Sequence, residues 1–133
     1  MSERQASPDR PGIGVLISGR GSNLQALIDA IAEGRLMATI ALVISNRGDA
    51  GGLERARAAG IETLVVDHRA FATRDAFDRA LASELGSRRV VLVCLAGFMR
   101  LIGAPLLEAF PDRILNVHPT LQPPSSMTLT ASG

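Results

Sequence analysis

The chain has 133 residues, enough for one domain, and its 47% hydrophobic and 20% charged composition excludes wholesale disorder. A net charge of +1 is not the footprint of a nucleic-acid or membrane-surface binder. All 14 basic side chains are Arg and none is Lys, which excludes a Walker-type phosphate loop and a lysine Schiff base. Cys94, inside the apolar run Val90–Ala96, reads as a buried core thiol rather than a nucleophile, and a single cysteine forms no internal disulfide. Residues 1–11 are polar and Pro-containing and are expected to be a disordered extension. The run Ile13–Ile17 is too short for a signal core, and Val90–Met99 is about half of the roughly 20 residues a spanning helix needs. The expectation is a soluble, reducing, cytoplasmic setting without membrane or nucleic-acid partners; oligomeric state is not legible.

In chain order, Ile13–Ile17 reads as a strand that ends in Ser18-Gly19-Arg20-Gly21-Ser22. A helix capped by Ser22 or Asn23 follows, with Leu24, Leu27, Ile28 and Ile31 on one face and Gly34 closing it. Thr39–Ile44 is a continuous β-branched run, as in a strand covered on both faces. After the loop Ser45–Ala50 comes a helix over Gly52–Ala59, ended by Gly60, then a strand over Ile61–Val66. Thr73 caps a third helix, with Phe77, Leu81 and Leu85 on one face and Gly86 after it. Val90–Leu95 is the fourth strand, Pro105–Phe110 a short helix with Pro in its first turn, and Ile114–Val117 a fifth strand stopped by Pro119. From Gln122 to Gly133 the sequence is uncharged, carries two prolines and reads as irregular. The alternation implies an α/β fold: an open, doubly wound, Rossmann-like, mostly parallel sheet over residues 12–121. Such sheets bind ligands beyond the carboxyl ends of their strands.

Three constellations stand at those ends. Gly19-Arg20-Gly21-Ser22-Asn23-Leu24 joins a sharp turn to a helix start, a setting for a phosphate; the plainer reading is a tight strand-to-helix turn. A dinucleotide fingerprint would need a small residue in place of Leu24 and an acid where Asn46 ends the second strand, so phosphate is favoured over NAD. Asn116 and His118, two apart on a strand, face one side: an amide to hold an oxyanion beside an imidazole to move a proton, or a structural pair closing the strand. Leu95–Ile102 combines apolar side chains with Arg100, either as the wall of a flat organic cofactor or as core with a solvated Arg. Arg74 could meet an anionic or formyl-bearing group but by itself reads as a surface charge, and His68 as a surface residue without a partner. Two isolated His and one buried Cys lack metal-ligand spacing, so no metal is expected.

Taken together, Ile17–Leu27, Ser45-Asn46-Arg47, Gly52–Ala56, Leu95–Arg100 and Leu115–Pro119 resemble the glycinamide ribonucleotide formyltransferase family, also called phosphoribosylglycinamide formyltransferase, in order from about Gly12 to Leu121. The resemblance implies transfer of a formyl group from 10-formyltetrahydrofolate, as cosubstrate, to glycinamide ribonucleotide in purine biosynthesis. By the same resemblance Gly21, Ser22 and Asn23 would bind the ribonucleotide phosphate. Arg74, Met99, Arg100, Leu101, Ile102 and Asn116 would contact the formyl-folate. Asn116 would also stabilise the oxyanion, and His118 would be the catalytic acid. The family continues past His-Pro with Ser-Leu-Leu-Pro and a long segment whose aspartate pairs with the histidine, whereas this chain departs at Thr120-Leu121-Gln122-Pro123 and has no acid after Asp112. The expectation is therefore a C-terminally truncated copy with an uncovered sheet edge and impaired turnover, the alternative being a non-catalytic phosphate-binding module.

Overall fold

The computed structural model describes residues 10–119 and 127–131. The elements are β1 (Gly12–Ile17), α1 (Ser22–Ala32), β2 (Thr39–Ser45), α2 (Gly52–Ala58), β3 (Thr63–Val65), a short 3-10 turn (His68–Ala70), α3 (Arg74–Ser87), β4 (Leu92–Leu95), α4 (Ala104–Ala109), β5 (Ile114–Pro119) and β6 (Met127–Ala131). They form one six-stranded sheet in the order β3-β2-β1-β4-β5-β6. The pairings from β3 to β5 are parallel, and β6 joins β5 antiparallel.

The doubly wound reading holds because the alternation in β1 splits the core in two. Ile13, Val15 and Ile17 pack with Leu24 and Leu27 of α1 and Leu53 and Ala56 of α2. On the opposite face Leu16, Leu42 and Ile44 pack with Phe77, Leu81 and Leu85 of α3 and Leu106 of α4. A side chain at Gly14 would overlap Leu85, so this glycine sets how closely α3 approaches β1. The chain runs outward from β1 to β2 and β3, then returns to start β4 on the other side of β1. The strand order therefore reverses between β1 and β4, and at such a switch point the loops beyond the carboxyl ends are where a ligand crevice is expected.

Several local expectations are corrected. Neither Ser22 nor Asn23 caps α1; Gly21 holds the N-cap position in the left-handed region (φ 83°), and no side chain caps the helix. Gly86 lies inside α3 rather than after it, and the left-handed residue that ends the turn is Arg89 (φ 59°). Ladder bonds flank the edge strand β3, from Val43 N–H to Glu62 C=O and from Val66 N–H to Ser45 C=O, yet only Thr63–Val65 is regular strand. Thr73 does cap α3, its hydroxyl accepting from Ala76 N–H at 3.1 Å.

The tail expected to be irregular contains β6. Its alternation of Met127, Leu129 and Ala131 with Thr128 and Thr130 is a period of two, adjacent to a Pro- and Ser-rich stretch that masks it. Paired with β5 from Leu115–Ala131 to Pro119–Met127, it covers the β5 edge that was expected to be bare. Of the expected disordered extension, residues 1–9 lie outside the described residues, while Pro11 C=O accepts from Thr39 N–H at 3.0 Å.

Candidate functional site at the β1–β4 crevice

The turn from β1 into α1 is built by close backbone approach. Gly21 takes a left-handed conformation, and a Cβ there would stand 2.5 Å from Gly52 Cα. That contact lets the start of α2 back the turn: Gly52 N–H donates to Gly19 C=O at 3.0 Å. Arg55 then donates through Nε to Arg20 C=O at 2.7 Å. The first-turn N–H groups of an α-helix lack intrahelical acceptors, so the uncapped start of α1 at Ser22, Asn23 and Leu24 offers donors and a positive dipole end. This arrangement suits a phosphate.

Across the crevice, β4 ends in a segment with two kinds of side chain. Phe98 and Ile102 pack against the α3 and α4 core. Met99 and Leu101 instead face solvent, 81% and 73% exposed. Gly97 (φ 76°) turns the chain out of β4, and Gly103 leads it into α4. Arg100 is half-buried and Arg74, the first residue of α3, is exposed. Arg74 Cδ is 3.6 Å from where a Gly103 Cβ would stand, so the start of α3 lies beside the residue that follows Ile102.

Buried polar groups tie these loops together. Ser18, at the end of β1, donates its hydroxyl to Asn46 Oδ1 at 2.6 Å and accepts from Met99 N–H at 2.8 Å. The Asn46 amide nitrogen lies 3.4 Å from His68 Nδ1. His68 is therefore not a plain surface residue: its ring also meets Phe77 edge-on at 6.2 Å. Asp78, buried on α3, accepts from Gly103 N–H through Oδ2, while its Oδ1 has no partner among the described residues. Burial pushes the Asp78 carboxyl up from its ordinary value, opposed by the Gly103 N–H and the positive charges of Arg74 and Arg100. Cys94 is a buried core thiol as expected, and burial pushes it up to about 11.

On β5, Asn116 is half-buried and in register with Leu95 at the end of β4. The backbone of His118 pairs with Thr128, and its side chain lies outside the described residues. A depression of about 630 Å³ beside the crevice, at the ends of β2 and β3, contains none of the expected ligand residues. Its arginines are neutralised locally, Arg47 by Asp49 and Arg69 by Asp67. Among the described residues no helix is long and apolar enough to cross a membrane.

Ser18 and Arg55 lie inside the motif segments Ile17–Leu27 and Gly52–Ala56 but were given no role of their own, and residue patterns did not single out Asp78. The one signal available was Asp78 itself, an acid at the start of the i, i+3, i+7 stripe that continues through Leu81 and Leu85.

A family model described as formyl transferase matches residues 12–125. The phosphoribosylglycinamide formyltransferase of Escherichia coli (strain K12) is 48% identical over 109 residues, 82% of this chain and 51% of that protein. The trifunctional purine biosynthetic protein adenosine-3 of Drosophila melanogaster is 46% identical over 124 residues, 92% of this chain and 9% of that protein. The crystal structure of glycinamide ribonucleotide transformylase 1 from Symbiobacterium toebii matches with a TM-score of 0.80 and 57% identity, over 86% of this chain and 54% of that one. The chain thus spans about half the length of these bacterial relatives. A match that runs through both loops of the crevice and through β5 means that the chain belongs to the formyl transferase family.

Proposed function

We propose that this chain serves the transfer of a formyl group from 10-formyltetrahydrofolate to glycinamide ribonucleotide, a step of purine biosynthesis, in the cytoplasm. One observation carries the reading: an uncapped, glycine-built helix start and a solvent-facing apolar segment flank the same crevice, in a chain whose relatives bear that name. Gly21, Ser22 and Asn23 receive the ribonucleotide phosphate. Arg74 and Met99–Ile102 receive the folate, the apolar side chains against its ring and the arginines toward its anionic end.

The substrate amine attacks the formyl carbon, and the carbonyl π pair moves onto oxygen. The amide of Asn116 donates to that oxyanion. The intermediate collapses as the carbonyl re-forms and the bond to the folate nitrogen breaks. That nitrogen takes a proton from the His118 imidazolium, and the former amine gives one back to the neutral imidazole, restoring the imidazolium. Binding and chemistry need only the two small molecules, and no metal enters the steps.

The test is a thermal melt of the chain with and without glycinamide ribonucleotide, followed by a formyl-transfer assay. A ligand-dependent rise in Tm, reduced in Asn23→Ala, together with transfer abolished by His118→Ala, is the expected result. Transfer that persists in His118→Ala refutes the role of that residue. Ribonucleotide binding without any transfer leaves the phosphate-binding module as the function.

A further inference from the structure

Met99 and Leu101 are the two most exposed large apolar side chains among the described residues. Nothing in their own chemistry keeps them there, since apolar side chains on a free loop gain by folding back onto a core. The backbone carrying them is held at two points by buried side chains from elsewhere in the fold. Ser18 receives the N–H of Met99, and Asp78 receives the N–H of Gly103.

The Ser18 hold is directional. A serine hydroxyl has one proton, and here it goes to Asn46 Oδ1 at 2.6 Å. The hydroxyl rotor is thereby fixed, with a lone pair turned to the Met99 N–H. The Asp78 hold carries a cost: it leaves a buried carboxyl half-satisfied, with Oδ1 unpartnered among the described residues. It also requires glycine opposite, because a Cβ on Gly103 would lie 2.7 Å from Oδ2. From the residue before the first anchor to the second the chain alternates, with Phe98 and Ile102 packed on the core and Met99 and Leu101 outward.

We propose that Ser18 and Asp78 are positioning residues for the formyl-folate, suspending residues 99–103 so that Met99 and Leu101 are presented to the ligand instead of packing against the chain. Neither touches the folate, and the inference rests on the folate assignment under Proposed function. Asn46 acts one step further back, by orienting Ser18.

The experiment uses the whole 133-residue chain and two ligands, 10-formylfolate and glycinamide ribonucleotide. Amide hydrogen exchange on the unsubstituted chain comes first: Met99 and Gly103 should exchange more slowly than Leu101 between them. Titrations on Ser18→Ala and Asp78→Ala should then show 10-formylfolate weakened about ten-fold and glycinamide ribonucleotide changed less than about two-fold. Asp78→Asn keeps an acceptor oxygen for Gly103 and should bind folate like the unsubstituted chain. A melt on each variant reports whether it is folded, and the exchange measurement stands without any variant.

Fast exchange at Met99 and Gly103 would overturn the inference. So would equal losses for both ligands, which mark a merely structural role, or unchanged folate binding in both Ala variants. Failure of the unsubstituted chain to bind 10-formylfolate would overturn the folate assignment itself, and this inference with it. That failure is recognisable because it precedes any substitution.

Discussion

Gly21→Ala tests whether the β1–α1 turn, proposed above to receive a phosphate, depends on backbone geometry or only on composition. Gly21 has φ 83°, and holding an L-residue in that region costs about 1–2 kcal/mol. The added methyl would also stand 2.5 Å from Gly52 Cα, a backbone atom at the start of α2 that no rotamer change can move away. Overpacking of this kind costs about 1–3 kcal/mol, while the loss of glycine freedom in the unfolded chain returns about 0.4–1 kcal/mol. The net expectation is a destabilisation of about 1–4.5 kcal/mol, or a Tm lower by on the order of 10 °C. Gly19 is the internal control: a Cβ there meets nothing within 4 Å, and Gly19 is not among the residues of positive φ. Gly19→Ala should therefore stay within about 0.5 kcal/mol of the unsubstituted chain. Urea melts of the two variants side by side, with glycinamide ribonucleotide titrated into each, make the comparison. Gly21→Ala should be the less stable and the weaker binder, because relieving the contact moves the N–H groups at the start of α1. Equal stability of the two variants would refute the close-approach argument, whatever happened to binding.

The remaining predictions concern buried titratable groups. Because burial raises the Asp78 carboxyl above its ordinary 3.8, the folded chain holds that proton where the unfolded chain has lost it. Relative to Asp78→Asn, stability should accordingly fall as pH rises from the ordinary carboxylate value through the raised one, and stay lower above it. Parallel urea-midpoint profiles for the two proteins would show that Asp78 ionises as it does in water. Cys94, with its thiol pushed up to about 11, should resist a thiol-reactive reagent at neutral pH until denaturant exposes it. Stoichiometric labelling of the native chain within the mixing time would contradict its burial.

What was legible in the sequence is what depends on near neighbours along the chain. The apolar run that became β2, the stripe of Phe77, Leu81 and Leu85 on α3, and the Thr73 cap are set by periods and hydrogen bonds spanning a few residues. The motifs of the crevice were legible for the same reason, since Gly19–Asn23 and Leu95–Ile102 are each contiguous. The misreadings come from contacts between segments distant in sequence. Gly21 rather than Ser22 caps α1 because α2 presses on the turn from outside. β6 escaped notice because its alternation has a partner only once β5 is beside it.

The sequence by itself determined the order of strands and helices as far as β5, the two-faced core and the family motifs. Only the tertiary structure decided what ties the loops at the β1–β4 switch point together. Ser18 and Met99 are 81 positions apart, Ser18 and Asn46 28, and Asp78 and Gly103 25. No period or propensity links residues at such separations. Their meeting follows from the sheet order, which puts β1 between β2 and β4 and α3 over the face where α4 begins, and so closes buried polar contacts that local sequence does not specify.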